Sequence, residues 1–240
     1  MLFRSKGEGD GSDCLIFGGI LSIAMTLVCL VQPATPPSGA EGVPMLKAVS
    51  MLGDANFAVF ILASLVVAGV MQFYFLGSAQ YLQDIGVSQK NVPATMAIAQ
   101  AAQAVATLFA LGLFFTSLGP KWTLTLGAAC WALLYLIYVI GRPKWLLVAG
   151  QMLHGFAYVF FMIAGQMYVN KVAPADIRGS AQGLIILVTS GIGLFLGTQL
   201  AGFMMDRSCV GGKFNWAKVY MVPFLCTAAG VLALAAVFRA

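Results

Sequence analysis

Residues 56–76 have the sequence NFAVFILASLVVAGVMQFYFL, in which no side chain carries a charge. A helix crosses the roughly 30 Å of hydrocarbon in a bilayer with about 20 apolar residues. Because lipid offers no hydrogen-bond partner to backbone N–H and C=O groups, a helix is the expected structure for such a segment. The segment therefore predicts a transmembrane helix.

Six further apolar runs of similar length flank this one, and breaks such as Gly119-Pro120, Gly141-Arg142-Pro143 and Pro174-Ala175-Asp176 separate several of them. Glycine and proline pairs of this kind are typical of turns between helices. The pattern predicts an all-α polytopic membrane protein with seven transmembrane helices. Besides 56–76, the predicted spans are residues 14–31, 94–115, 122–140, 145–169, 179–204 and 219–238.

The composition supports the same class. Hydrophobic residues make up 60% of the 240 residues, charged residues make up 9%, and the mean hydropathy is +0.92. Soluble domains carry about 25% charged residues, so a soluble enzyme or nucleic-acid-binding protein is excluded. The 13 basic residues lie at span ends, in loops or in tails, where headgroups tolerate them, so no nucleic-acid partner is expected.

No enzyme, metal or cofactor is expected either. The sequence has no Ser/His/Asp, Cys/His or HExxH arrangement, and its single histidine cannot build a metal site. The five cysteines show no CxxC spacing, and nothing in their placement indicates a disulfide framework.

The first span is separated from the other six by a connection rich in proline and glycine. We divide the chain into a tail and helix at residues 1–32, a central linker at 33–55, and a six-helix unit at 56–240. Arg4 and Lys6 precede the first span as in a signal peptide. Three acids also lie in that tail and no A-x-A cleavage site follows, which favours an uncleaved helix.

Polar side chains recur at helical spacing inside several spans. Gln100, Gln103 and Thr107 share one face of the third span, and Gln151, His154 and Tyr158 share one face of the fifth. Gln72 and Tyr74 lie at the end of the second span. These groups could line a cavity for a planar polar solute, or the amides could join helices to one another.

Charged groups are placed differently. No Asp, Glu, Lys or Arg lies in the middle of a predicted span, so His154 is the only titratable candidate for proton handling. Its alternative role is that of a packed histidine with satisfied hydrogen bonds.

The sequence PADIRGSAQG at residues 174–183 leads from a charged loop into a glycine-rich helix. Asp176 lies at the helix N-terminus, where negative charge is favourable, and Arg178 can pair with it or contact headgroups. Farther along the same span, Gly193 and Gly197 form a GxxxG pattern, which predicts close packing between helices.

With this loop, the chain resembles the nucleoside–proton symporter family of the major facilitator superfamily. The resemblance extends to QFYF at 72–75, MAIAQ at 96–100, Trp131 in the fourth span, GRP at 141–143 and HGFAYVFF at 154–161. It covers nearly the whole chain from about residue 14. Such transporters have two six-helix halves with the solute site between them near the midplane.

The resemblance implies that this chain is family helix six followed by the C-terminal half, in the plasma (inner) membrane. It places the linker, the 174–183 loop and the C-terminus in the cytoplasm, although the loop charges alone weakly favour a cytoplasmic N-terminus. The implied function is alternating-access transport of nucleosides or similar small polar solutes. The other wall would come from a separate N-terminal half or from a second copy of the chain.

The resemblance also implies roles for individual residues. The expected cytoplasmic gate is Asp176 with Arg178, and His154 is the candidate for proton handling. The expected substrate-binding residues are Gln72, Tyr74, Gln100, Gln103 and Tyr158.

The sequence departs from the family pattern at three positions inside the membrane. Gln103 replaces a usual Glu, Leu134 a frequent Arg, and Val159 a frequent Asp. An alternative interpretation is therefore a non-transporting remnant or partner module of a transporter.

Overall fold

The computed structural model describes residues 12–33 and 43–239, with side chains from residue 15 onward. The expectations for residues 1–11, including the signal-peptide question, and for linker residues 34–42 lie outside the described residues. The chain divides into two compact units, residues 1–39 and 40–240, and each is described by itself. The division expected from the sequence, with boundaries near residues 32 and 55, stays a prediction.

The first unit contains one described helix, α1 (Ser12–Leu30). It coincides with the first predicted span to within two residues. The Ser22 hydroxyl donates to the Gly18 carbonyl at 2.8 Å, and the Thr26 hydroxyl donates to the Ser22 carbonyl at 2.9 Å. These hydroxyls are thus satisfied within the helix, as an apolar environment requires.

The described residues of the second unit form helices joined by turns, with a short antiparallel hairpin in which Cys209 pairs with Phe214. Each predicted span from the second to the seventh corresponds to one helix. The helices are α2 (Pro44–Ser50), α3 (Ala55–Asp84), α4 (Gln89–Ser117), α5 (Gly119–Ile140), α6 (Lys144–Val172), α7 (Ala175–Arg207) and α8 (Trp216–Ala236), with strands β1 (Cys209–Val210) and β2 (Lys213–Phe214) between α7 and α8.

Among the described residues, the six helices α3 to α8 are long and apolar enough to cross a membrane, and α1 contributes a shorter apolar segment, Leu15–Leu30. This confirms the predicted all-α polytopic architecture. The protein is a multi-pass integral membrane protein.

The second predicted span ends too early. Helix α3 continues from residue 76 to Asp84 because tertiary contacts hold its polar end. The Tyr81 hydroxyl donates to the Tyr138 carbonyl at 2.9 Å, and the Trp216 Nε1 donates to the Asp84 carboxylate at 2.8 Å. Apolarity alone cannot reveal these contacts, so the sequence placed the helix end where the apolar run stops.

Glycine allows close helix crossings at several places, two of which involve α7 with α3 and α6 with α4. At Gly197 a Cβ atom would overlap the Gly69 carbonyl, so α7 and α3 touch backbone to backbone. At Gly155 a Cβ atom would overlap the Ala99 carbonyl, which brings α6 against α4. The close packing expected from the GxxxG pattern is thus confirmed, and its partner is α3.

Gly197→Ala is expected to lower the thermal unfolding midpoint of the purified chain in detergent. The added methyl group has to push α3 and α7 apart, and overpacking of this kind costs about 1–3 kcal/mol. Gly183→Ala in the same helix is the matched control, because nothing lies within 4 Å of a Cβ atom there. Equal midpoints for the two variants would contradict the crossing.

Candidate solute-facing site

His154 lies at the centre of an aromatic cluster between α3, α5 and α6. Its side chain is only 2% exposed. The Tyr74 ring stacks on the imidazole with 3.7 Å between centroids and 9° between planes. The Trp131 Nε1 donates to His154 Nδ1 at 3.2 Å. Since Nδ1 accepts this hydrogen bond, the imidazole is neutral and carries its proton on Nε2.

The packed-histidine interpretation therefore fits this geometry better than the proton-handling one. Protonation of Nδ1 would break the bond with Trp131 in a place without solvent. The proton-handling role of His154 stays a prediction.

Gln151 joins the same three helices and is fully buried. Its Oε1 accepts from the Tyr74 hydroxyl at 2.8 Å. Its Nε2 donates to the Tyr138 hydroxyl at 2.6 Å and to the Leu147 carbonyl at 3.1 Å. An amide so completely bonded stabilises the helix bundle and is not available to a solute.

Tyr74 belongs to this buried network, with 2% of its surface exposed and its hydroxyl bonded to Gln151. Gln72 is turned toward another helix, where its Nε2 donates to the Thr198 hydroxyl of α7 at 2.7 Å. The Tyr74 hydroxyl is thus occupied in this conformation, and so is the Gln72 Nε2. Their assignment to the substrate site stays a prediction.

The other predicted substrate residues lie around the crossing of α4 and α6. Gln100 is exposed, Gln103 and Tyr158 are half-buried, and both helices meet at Gly155, one turn before Tyr158. Among the residues that the structure describes, the side chains of these three make no hydrogen bond. The exposed Phe75 of α3 adds an aromatic ring, which meets His154 edge-on at 5.6 Å.

We call this group, Phe75, Gln100, Gln103 and Tyr158, the amide face. Two π-helical turns adjoin it, because Ala106–Ala110 begins shortly after Gln103 and Tyr158–Ile163 begins at Tyr158 itself. Turns of this type occur mostly as short bulges and frequently at functional sites.

The amide face differs from the rest of the exposed surface of α4. Val105, Leu108 and Phe109 are large, apolar and exposed, as expected beside lipid. An amide without a partner is costly in hydrocarbon. The amide face therefore meets water, a polar solute or another protein surface.

The partners of His154 and Gln151 on α5 are not among the residues predicted for the site. Trp131, Tyr135 and Tyr138 are all fully buried on α5, and the Tyr135 hydroxyl donates to the Val70 carbonyl at 2.9 Å. Their spacing of four and three residues places them on one helical face. That spacing is the feature of the sequence from which these buried partners could have been predicted.

The predicted gate residues lie at the helix ends near α2. Lys47 of α2 is 3.5 Å from the Asp176 carboxylate, and both side chains are about half exposed. Arg178 is exposed and forms no ion pair within residues 43–239. Asp176 thus has a contact with α2, while the alternative expected for Arg178, a contact with headgroups, stays a prediction. An exposed pair contributes about 0–1 kcal/mol, and the gate role stays a prediction.

Among the described residues, no group of three or more His, Cys, Asp or Glu side chains lies close enough together to hold a metal ion. The polar chemistry of the amide face is that of neutral amides, a phenol and an aromatic ring. It can donate and accept hydrogen bonds and stack on a planar ring.

Gln151→Leu is expected to lower the thermal unfolding midpoint strongly, because it leaves the Tyr74 hydroxyl without its acceptor and removes a partner from Tyr138. A buried polar group left unsatisfied costs about 1–3 kcal/mol. Gln166→Leu on the same helix is the control, since Gln166 is exposed and surface substitutions usually stay within about 0.5 kcal/mol. A Gln151→Leu midpoint no lower than the control's would refute the network.

Comparison with known proteins identifies relatives over most of the chain. A family model described as nucleoside H⁺ symporter matches residues 11–240. A protein of Escherichia coli strain K12 with the provisional name of nucleoside transporter YegT is 32% identical over 204 residues, 78% of this chain and 47% of its own length. The nucleoside permease NupG of the same organism is 24% identical over 225 residues, 87% of this chain and 54% of its own.

A xanthosine permease of Escherichia coli strain K12 is 25% identical over 189 residues, 74% of this chain and 45% of its own length. A crystal structure of nucleoside transporter NupG matches with a TM-score of 0.75 at 21% identity and covers 93% of this chain and 60% of that one. The likeness shows that this chain has the fold of the matched part of that structure. The chain spans about half the length of the curated relatives it matches.

Proposed function

The chain belongs to the nucleoside H⁺ symporter family, and on that premise we propose that it forms one wall of a membrane transporter for nucleosides or similar small polar solutes. Transport moves the solute without chemical change, so we propose no enzymatic activity. We place the protein in the plasma (inner) membrane, with alternating access as its mechanism.

The observation that carries this proposal is the amide face. Gln100, Gln103 and Tyr158 lie on membrane-spanning helices and have no hydrogen-bond partner within the described residues. A nucleoside offers what they lack, because its base edge and ribose hydroxyls both donate and accept hydrogen bonds. The planar base can in turn stack on Phe75 or Tyr158. A neutral face suits a neutral solute.

A wall on one side cannot enclose a two-sided pathway. We propose that the facing wall comes from further transporter helices, either an N-terminal half or a second copy of this chain. The relatives are about twice as long as the matched segment, which fits a complete transporter of two halves.

The proposed role of the amide face predicts that Gln103→Leu weakens nucleoside binding about tenfold or more, since the loss of a hydrogen bond of about 1.5 kcal/mol has that effect. Saturable binding of radiolabelled uridine and adenosine is measured on membranes that contain the full chain. Gln83→Leu is the matched control, because it removes an amide near the C-terminal end of α3, two turns beyond Phe75. It should leave nucleoside binding unchanged.

Unchanged binding in Gln103→Leu, together with a lowered unfolding midpoint, would favour the role of an amide that joins helices. If wild-type membranes show no saturable binding of either nucleoside, the proposal fails. The non-transporting partner module is then the better interpretation.

The geometry around His154 predicts that nucleoside binding is nearly constant between about pH 5 and 8, the range in which an unperturbed histidine titrates. His154 is enclosed and neutral, and the amide face itself has no carboxylate. The binding constants of the wild type and of His154→Gln are compared across this range. A pH dependence that disappears in His154→Gln would instead support proton handling by this residue.

A further inference from the structure

A cavity of about 410 Å³ lies at the end of the bundle where α3 begins and α6 ends. It is separate from the amide face and shares no residue with it. Its polar wall consists of Asp54, Asn56, Tyr168, Lys171 and Arg239. Nothing in the proposed transport cycle uses these groups.

The charges on this wall are unequal. The Asp54 carboxylate caps α3, where it accepts from the backbone N–H of Phe57 at 2.8 Å. Lys171 and Arg239 both line the cavity, and neither forms an ion pair with any residue the structure describes. Two cations against one carboxylate leave a net charge of about one positive unit for a bound anion.

The position of Arg239 is fixed by the fold. Its backbone N–H donates to the side-chain oxygen of Asn56 at 3.1 Å, so the segment after α8 is tied to the start of α3. Arg239 therefore stays at the cavity together with Lys171, which lies in the last turn of α6.

Tyr168 adds a hydrogen-bond donor to the polar wall of the cavity. Its side chain is 4% exposed, and its ring packs edge-on against Phe60 at 4.9 Å and Phe238 at 5.2 Å. It lines the cavity, yet its hydroxyl makes no hydrogen bond with any described residue. Because Tyr168 lines the cavity and its hydroxyl is not bonded within the described part of the protein, that hydroxyl is available to donate a hydrogen bond to a ligand there.

We propose that this cavity binds a phosphate group, held by Lys171 and Arg239 and by a hydrogen bond from the Tyr168 hydroxyl, and that the phosphate is the headgroup of an anionic phospholipid. Arginine and lysine are the usual phosphate ligands. A cavity at the ends of membrane-spanning helices lies at the depth of the headgroups. A phosphodiester carries one negative charge, which matches the excess on the wall.

The apolar part of the wall fits the same ligand. Met51, Phe57 and Val172 also line the cavity and offer surface for the glycerol and upper acyl segments of a lipid. Inorganic phosphate has no apolar part that could contact this surface.

The test uses the full chain, reconstituted in nanodiscs of phosphatidylcholine with increasing phosphatidylglycerol, released into the gas phase and examined by native mass spectrometry. We expect retained phosphatidylglycerol to fall about tenfold in the double variant Lys171→Gln/Arg239→Gln, because both charge-assisted hydrogen bonds are lost. The double variant Lys213→Gln/Lys218→Gln is the matched control and removes the same charge around β2 and the start of α8.

Tyr168→Phe provides a second readout that keeps the packed ring. We expect it to reduce retained phosphatidylglycerol several-fold while the unfolding midpoint stays within about 0.5 kcal/mol of the wild type. Retention equal to that of the wild type in both Tyr168→Phe and the Lys171/Arg239 variant overturns the proposal. So does an equal loss in the Lys213/Lys218 control, since retention would then reflect general surface charge.

Inorganic phosphate, titrated in detergent without lipid, distinguishes the two sources of the phosphate group. If it does not displace bound phosphatidylglycerol, the lipid assignment is supported. If it binds alone, competes with phosphatidylglycerol and loses affinity in the Lys171/Arg239 variant, the lipid assignment is overturned in favour of a soluble phosphate ligand.

Discussion

Hydrocarbon forms no hydrogen bonds, and this constraint accounts for most of the structure. It requires the backbone to be helical wherever it crosses the membrane. It requires the hydroxyls of Ser22 and Thr26 to bond back to their own helix. It also explains why Gln151, a fully buried amide, has a partner for its oxygen and partners for its nitrogen. Against that background, a polar group without a partner is informative.

Two places among the described residues where polar groups lack a partner are the amide face and the end of the bundle, and they differ in chemistry. At the amide face the groups without partners are neutral and lie midway along α4 and α6. At the end of the bundle a phenol without a partner, Tyr168, lies beside two cations. The first suits a neutral polar solute and the second suits an anion. The same constraint therefore underlies both proposals, the neutral solute at the amide face and the phosphate group at the end of the bundle.

The sequence predicted the membrane-spanning helices well, because an apolar run of sufficient length has few alternatives. It failed at the end of α3, where Asp84 accepts from the Trp216 indole on a helix more than a hundred residues later. It also predicted that Gly197 packs closely but not that Gly69 is its partner. Contacts between distant segments leave no local signal, so these features required the fold.

For the candidate site too, some features could be predicted from the sequence and others could not. Helical periodicity correctly placed Gln100 and Gln103 on one face, because residues three apart on a helix lie on the same side. Periodicity could not show that Gln72 is bonded to Thr198 on α7 while Tyr74, two residues away, is bonded to Gln151 on α6. Residues two apart on a helix point in different directions. Gln72 and Tyr74 thus contribute to different helix interfaces although they are close in the sequence.

The three residues that depart from the family pattern suit the places where they lie. Leu134 and Val159 are both fully buried in one hydrophobic core. A single charge left there would be uncompensated and strongly destabilising, whereas replacement of both charges by packed apolar residues is often neutral or stabilising. Gln103 lies instead at the amide face, where an amide keeps its hydrogen-bonding capacity without a titratable proton. The proposed neutral solute would therefore meet hydrogen-bonding groups at the amide face, while none of these three side chains can take up a proton.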